Sequence, residues 1–446
     1  MSASDIFLIG SSGLRAYQTQ LGTISQNIAN VGSSNYSRRT TTISESVVTG
    51  SDRVLYKQQA NFGGASATAI QRTSDEFMNA QARITGSDLA YSNSYLKWAN
   101  SVESALNDSD TGIGTTLTSF YSSVDQLAAN PADKSLRTSM LYRLEQVTSA
   151  FRTSSNDLND VLDQTYQSAN SDISLINNAL SGLKDINQSL QRAIPGTANQ
   201  AQLLDSRDAL LSTITQKLNA TVTLAANGTA TVTYDGQTLA DVSTTGSLSI
   251  VQAADKSFSL QLNGSTPLAT PSAGTLAGDF AGSANARQRL DSLNALAVEF
   301  ATDLNTWHTQ GVTDSGATGL PLVSVGTTAD SLQPAITNVA DIAVKSSDGT
   351  INGNLVKIDT VRQNSDVENK WTEIVTAQGN LVSTVSDEQA LAENRDEIAR
   401  NAREEVSGVS LDVEAADLLR VQQAYQASAR VVQAAKDIVD TILKLN

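Results

Sequence analysis

The sequence predicts a mainly α protein: an elongated helical bundle whose N- and C-terminal coiled-coil helices pair, with a small inserted β domain. Three observations predict it. Apolar residues keep three/four spacing along most of the chain, in places for longer than an ordinary globular helix. Both termini carry an a/d heptad stripe, the pattern of a coiled-coil seam. From residue 219 to about 275 the period changes to two, with Asn-Gly and Asp-Gly steps between alternating runs.

The first helix rests on Phe7, Leu14, Leu21 and Ile28, interleaved with Gly10, Tyr17, Ile24 and Val31. Ser4 or Asp5 can cap it, and Gly32-Ser33-Ser34-Asn35 breaks it. Taken alone, the same stripe also fits an amphipathic helix packed on its own domain. Residues 36 to about 70 are rich in Thr, Ser and Val, which suggests short extended segments or a long loop. Helix returns from Asp75 to about Asn107 through Phe77, Ile84, Leu89, Tyr95, Trp98, Val102 and Leu106. Asp108-Ser109-Asp110-Thr111-Gly112 reads as a solvated turn: Ile113 stands where a calcium loop needs glycine, and no bidentate Glu follows.

A further helix starts near Thr115 and stops at Asn130-Pro131. The longest runs from Asp133 to Ala193, ended by Pro195-Gly196, and another from Ala198 to Leu218. The β insert follows, with turns at Asn227-Gly228, Asp235-Gly236 and Asn263-Gly264. Helix resumes over Ala284–Trp307 and, after a Gly/Thr/Ser-rich stretch, over about Asp359–Arg403. The last helix starts at Ser410, a good N-cap, and carries Leu418, Val421, Tyr425, Ser428, Val432, Ala435, Val439 and Ile442 as a second seam. Each terminal stripe is too apolar to stand alone in water, so pairing of the two ends is the economical arrangement.

This gives four expected parts. Residues 1–38 with 408–446 form a terminal coiled-coil domain, and 39–218 with 284–311 and 354–407 a helical rod. Residues 219–283 form one inserted β domain, and 312–353 a Gly/Ser/Thr-rich excursion.

Composition excludes several kinds of chemistry. The 446 residues contain no cysteine and one histidine, His308, so disulfides, thiolate catalysis, zinc–thiolate sites and multi-histidine metal centres are out of reach. Thirty Lys and Arg against 46 Asp and Glu give a net charge of −16, which disfavours nucleic acid and anionic lipid. Aromatic content of 5% points to thin cores. No apolar run approaches the roughly 18 residues of a membrane span, and the start lacks the basic region of a Sec signal. No nucleophile elbow, phosphate loop, zincin motif or dinucleotide fingerprint is present. His308 at a helix C-terminus reads as structural or solvated, and Arg38-Arg39, Arg400 and Arg403 as solvated or weakly paired charges. No catalytic, cofactor-binding or metal residue is expected.

Both ends match known signatures. Gly13-Leu14, Asn27-Ile28-Ala29-Asn30-Val31 and Tyr36-Ser37-Arg38 resemble the N-terminal signature of the flagellar axial proteins. Leu411-Asp412-x-Glu414-Ala415-Ala416-x-Leu418 and Gln422-Gln423-Ala424-Tyr425-Gln426-Ala427 resemble the C-terminal one. Leu204-Asp205-Ser206-Arg207-Asp208-Ala209-Leu210-Leu211 and Leu304-Asn305-Thr306-Trp307-His308-Thr309-Gln310-Gly311 add a resemblance to the hook-associated FlgK family.

The resemblance implies a non-enzymatic structural protein of the bacterial flagellum, secreted to the hook–filament junction, with no cofactor. It would leave unfolded through the flagellar type III apparatus, escorted by a cytoplasmic chaperone on its C-terminal helix. Its partners would be copies of itself in a ring or helical layer, the hook protein and hook-associated protein 3, with no nucleic acid and no membrane insertion. The expected assembly seam is Leu14, Tyr17, Leu21, Ile24, Ile28, Leu418, Val421, Tyr425, Val432, Val439 and Ile442; the family motif is Asn27, Asn30, Tyr36, Ser37 and Arg38. The alternatives are another axial protein, hook-associated protein 3 or a flagellin, and a secreted hydrolase or adhesin whose site lies in the β insert.

Overall fold

The computed structural model describes residues 3–33, 35–45, 63–106 and 109–444. Helices dominate, and the chain divides into two compact units. The first comprises residues 1–86, 175–247 and 394–446; the second comprises 87–174 and 248–393. Among the described residues, no helix is long and apolar enough to cross a membrane.

In the first unit, α1 (Ala3–Ala29) is followed by a hairpin of β1 (Arg39–Glu45) and β2 (Ala65–Arg72). The hairpin is antiparallel, with Arg39 opposite Arg72, so the two described ends of the Thr/Ser/Val-rich stretch are extended, as its composition suggests; residues 46–62 of that stretch lie outside the described residues. It lies on α1: Thr23 and Thr41 share a 2.8 Å hydroxyl contact, and Ala65 N donates to Ser12 Oγ at 3.1 Å.

Helix α2 (Glu76–Leu106) begins in this unit, α3 (Ile113–Ala129) lies in the second, and α4 (Lys134–Arg192) is one unbroken helix of 59 residues. Helix α5 (Ala198–Lys217) starts at Thr197, whose hydroxyl accepts from Gln200 N, and leads into a sheet of β3 (Thr221–Leu224), β4 (Ala230–Tyr234) and β5 (Gln237–Ala240). Asp235 and Gly236, at φ 49° and 71°, close β4 onto β5, as a type I′ turn requires. Buried Asn187 pins this sheet to α4: it donates to Ala230 O and accepts from Ala230 N, both at 2.8 Å.

The second unit has its own sheet, β6 (Leu248–Gln252), β7 (Phe258–Leu262) and β8 (Thr266–Pro267), where Asn263-Gly264 supplies the positive-φ turn. The segment 219–283 is therefore two separate three-stranded sheets, one per unit, rather than the single β domain expected. The backbone reason is that β5 and β6 are not hydrogen-bonded to each other. Asn227-Gly228 departs from expectation too. It sits in a five-residue loop with only Gly228 at positive φ, because Asn227 Oδ1 is occupied by Thr229 N and Oγ1.

Helix α6 (Thr275–Thr309) begins nine residues before the expected Ala284. Gly278 and Gly282 obscure its start in the sequence, yet both are required: a Cβ at Gly278 would lie 2.5 Å from Ser94 Cβ, and one at Gly282 would fall on Trp98. Phe300 from α6 stacks on Phe151 with centroids 5.9 Å apart and meets Phe120 edge-on at 6.4 Å.

Residues 312–353 join this core instead of looping away from it. With β9 (Val323–Ser324) and β10 (Gln333–Pro334), they bury Leu322, Leu332, Ile342 and Val344. They also fix His308, which is fully buried. Ala343 N donates to its Nε2 at 3.0 Å, so Nδ1 carries the proton and faces Leu320 O at 2.5 Å. Burial pushes its pKa below the ordinary histidine value.

The helix expected over 359–403 is two, α7 (Ile358–Ser365) and α8 (Val367–Ser407). They are separated at Asp366, which adopts the left-handed conformation and donates its N–H to Arg362 O. Helix α9 (Leu411–Lys444) completes the chain within the first unit.

Candidate functional site

Except for residues 304–311, which lie in the second unit, the sequence motifs converge within the first unit. Helices α1 and α9 run antiparallel: Gly10 faces Val432, Gly13 faces Ser428, and Asn27 faces Glu414. The two glycines permit the approach, since a Cβ at Gly10 would lie 2.7 Å from Val432 Cγ2 and one at Gly13 3.0 Å from Ser428 Oγ.

The seam residues divide into three groups. Ile24 and Val421 are buried. Leu14, Tyr17, Leu21, Ile28, Leu418 and Val432 are half-buried. Tyr425, Val439 and Ile442 are exposed. So are Phe7 of the predicted N-terminal stripe and, outside the stripes, Leu8 on α1 and Val413, Leu419, Ile438 and Leu443 on α9. The helix pair thus closes on one face and leaves apolar surface open on others. Ala435 on α9 is fully buried.

A polar clamp fastens the other end of the pair. Asn27 is fully buried. Its Oδ1 accepts from Arg39 N (3.0 Å) and from the Tyr36 hydroxyl (2.8 Å), and its Nδ2 donates to Arg39 O (2.9 Å) and Glu414 Oε2 (3.1 Å). Glu414, also fully buried, accepts from Arg38 Nε at 2.7 Å, and Arg38 reaches Asp417 at 3.4 Å. Arg38 N also donates to Ser407 O at 2.9 Å, holding the hairpin base against the end of α8. One asparagine thus ties α1, the Tyr-Ser-Arg turn and α9 together, and none of its four hydrogen bonds is to solvent.

A second layer joins the hairpin to α5. Arg39 and Arg72, opposite each other at the hairpin base, converge on Asp205, at 2.6 and 2.8 Å. Arg72 also donates to Asp208 at 2.7 Å and to Ser37 Oγ at 3.0 Å. Arg207 binds Asp208 at 2.6 Å and Gly228 O at 2.7 Å, extending the layer to the first sheet. Burial is the largest influence on Asp205 and raises its carboxyl pKa, opposed by the two guanidinium groups. Tyr36 is raised by burial as well, with the Arg39 guanidinium 4.8 Å over its ring acting the other way.

Two expectations change here. Arg39 is buried and doubly engaged rather than solvated, because β1 carries it inward to meet Asp205. Arg400 is half in solvent but pairs with buried Asp396 at 2.6 Å. Asn27, Tyr36, Ser37 and Arg38 of the motif come together, whereas Asn30 bonds only Gln26 O of its own helix. Arg72 carries no signal in the sequence. Asp205, Asp208 and Glu414 do, inside the quoted motifs. Beside the clamp a cavity of about 310 Å³ is lined by Tyr36, Ser37, Arg72, Arg83, Arg403 and Glu404 among others. Among the described residues no group of three or more His, Asp and Glu is placed to hold a metal ion. The chemistry of this site is cohesion: buried ionic and amide contacts that specify one mutual register of three chain segments.

Comparison with known proteins gives the same picture. Residues 99–323 match the family described as flagellar hook-associated protein FlgK helical domain, and residues 400–445 match the flagellar basal body rod FlgEFG protein C-terminal family. Flagellar hook-associated protein 1 of Bacillus subtilis is 24% identical over 96% of both chains. The Salmonella typhimurium protein of that name is 25% identical over 71% of this chain and 58% of its own length. The Escherichia coli one is 24% identical over 75% and 62%. In fold, the chain is similar to the flagellar hook junction protein FlgK from Burkholderia pseudomallei, with a TM-score of 0.50 and 23% identity over 56% of this chain and 47% of that one.

Proposed function

The chain belongs to the flagellar hook-associated protein FlgK family, and on that premise we propose that it assembles by packing the open apolar faces of α1 and α9 against neighbouring copies. It is a structural protein of the flagellar hook–filament junction. The observation that carries the proposal is the combination of a rigidly clamped helix pair with large apolar side chains left in water. Leu419 is 61% exposed and Leu443 68%, on the helix whose base Glu414 locks in place. Burying a leucine contributes roughly 1.5–3 kcal/mol, so a few such residues per copy suffice for a stable layer.

The same reading gives the clamp a purpose. It sets the register of α9 on α1, and so the spacing of the stripe that a neighbour meets. The hook protein and hook-associated protein 3 are the layers below and above. A cytoplasmic chaperone covers α9 before export, because its apolar face would otherwise be exposed in the cell. Export as an unfolded chain agrees with the absence of cysteine, since nothing can cross-link in passage. The protein acts through these contacts and has no catalytic role.

The test is complementation of a filamentless strain with Leu419→Asp and Ile442→Asp. Both side chains are exposed, so the fold of the monomer is unchanged, and the variants are secreted. A charge buried in the seam costs several kcal/mol, so filaments are lost. Normal filaments on a normal junction in both strains would refute the assignment of α9 as the contact between copies.

A further inference from the structure

Charge and exposed apolar surface divide between the two units in opposite senses. The first unit holds 18 Lys and Arg against 19 Asp and Glu, a net −1; the second holds 12 against 27, a net −15. Almost all of the chain's net charge therefore lies on one unit. Large apolar side chains in solvent lie mainly on the other. Of 24 among the described residues, 18 belong to the first unit, and 11 of those lie on α1 or α9.

Each distribution has a consequence. A body with net charge near zero meets no long-range repulsion from another like it, and its exposed apolar residues favour association. The partner it fits is a second copy of itself. A body carrying −15 repels its copies, and the repulsion reaches as far as the screening length, about 8 Å at 0.15 M salt but about 30 Å at 0.01 M. The units are one chain, so association through the first brings two acidic units along with it.

We propose that this chain self-associates through its first unit, with a second copy as partner, and that the acidic second unit gates this association by electrostatic repulsion. The proposal rests on the reading of α1 and α9 as the contact between copies and adds its regulation. Free copies at low ionic strength are held apart despite their exposed stripes. In a growing layer, contacts with several neighbours at once offset the repulsion. The gate thus distinguishes addition to an existing layer from aggregation of free subunits.

Sedimentation velocity of the full chain at pH 7, in about 10 mM and about 300 mM NaCl, tests it. Association is expected to be at least tenfold tighter at the higher salt. A variant with Glu103→Gln, Asp160→Asn, Asp291→Asn, Asp330→Asn, Glu373→Gln and Asp387→Asn changes six exposed acids of the second unit, taking its net charge from −15 to −9. It should associate at low salt and lose most of the salt dependence. A wild-type chain that is monomeric at both salts, or a variant that keeps the wild-type salt dependence, would overturn the gate. Salt-dependent association that Leu419→Asp leaves intact would support the gate and refute α9 as the contact, so the two readings fail separately.

Discussion

Replacing Glu414 with alanine tests whether the clamp, rather than apolar contact, holds α9 on α1. The side chain is fully buried and accepts from two donors, Arg38 Nε at 2.7 Å and Asn27 Nδ2 at 3.1 Å. Breaking a buried ion pair by removing one partner costs about 3–5 kcal/mol. Here the penalty is smaller. Arg38 keeps Asp417 at 3.4 Å and some contact with water, and the Asn27 amide keeps its bond to Arg39 O. The lost bond to a charged group and the partly stranded guanidinium together give about 2–3 kcal/mol.

Hydrogen exchange followed residue by residue reads this locally. Opening of the α1–α9 pair should become easier by roughly 30- to 150-fold, since each 1.4 kcal/mol is a factor of ten. Amides of α6 in the second unit should keep their protection, which separates loss of the clamp from general unfolding. Glu414→Gln retains an acceptor for one donor and should lie between wild type and alanine. An acceleration below threefold in Glu414→Ala would mean that Gly10, Gly13 and Ala435 packing alone fixes the pair, and the clamp reasoning would fail.

Two further perturbations address the second unit. Gly282→Ala places a methyl group on the Trp98 side chain across the α2–α6 contact, and overpacking of this kind costs about 1–3 kcal/mol; urea unfolding followed by tryptophan fluorescence should show it, and an unchanged midpoint would exclude a tight crossing there. Asp279 is almost wholly buried, accepts from Trp98 Nε1 at 2.7 Å and Ser94 Oγ at 3.0 Å, and has its pKa pushed up to about 6 by burial. The native state therefore holds a proton that the unfolded chain releases near pH 4. Its contribution is fully present below that pH and is lost as pH rises through about 6. Asp279→Asn should flatten the dependence of stability on pH across about 4–6, and a slope equal to wild type would exclude a protonated native Asp279.

What the sequence made legible follows the range of each signal. The seams and long helices were readable because their information repeats every three or four residues, so errors at single positions average out. The start of α6 was not, because glycines weaken a helix intrinsically, and the reason for Gly278 and Gly282 lies on α2, about 185 residues away in sequence. Residues 312–353 failed for the same reason. Their composition is that of a loop, but Leu322, Leu332 and Ile342 are spaced to meet α-helices rather than one another, so no period shows. The turns divided by chemistry. Asp235-Gly236 and Asn263-Gly264 behave as local signals should, whereas the Asn227 side chain is captured by Thr229 and the two-residue turn is lost.

The clamp shows the same limit at a functional site. Its parts were visible as motifs, but their meaning was not, because a charge read in sequence carries no information about depth. Arg38 and Arg39 are adjacent but part where β1 begins: Arg38, just before the strand, turns to Glu414, 376 residues onward, while Arg39, its first residue, turns inward to Asp205. On a chain of net −16, one of them facing a closed layer must find a carboxylate there. The Asp205-x-x-Asp208 spacing on α5 sets two acids one helical turn apart, the geometry needed to receive both Arg39 and Arg72. A hairpin bearing arginines in register at its base and a helix bearing acids at i and i+3 are complementary. That complementarity, more than either motif alone, explains why the Tyr-Ser-Arg turn sits at the foot of the terminal helices, where it can lock the register from which the exposed stripes are built.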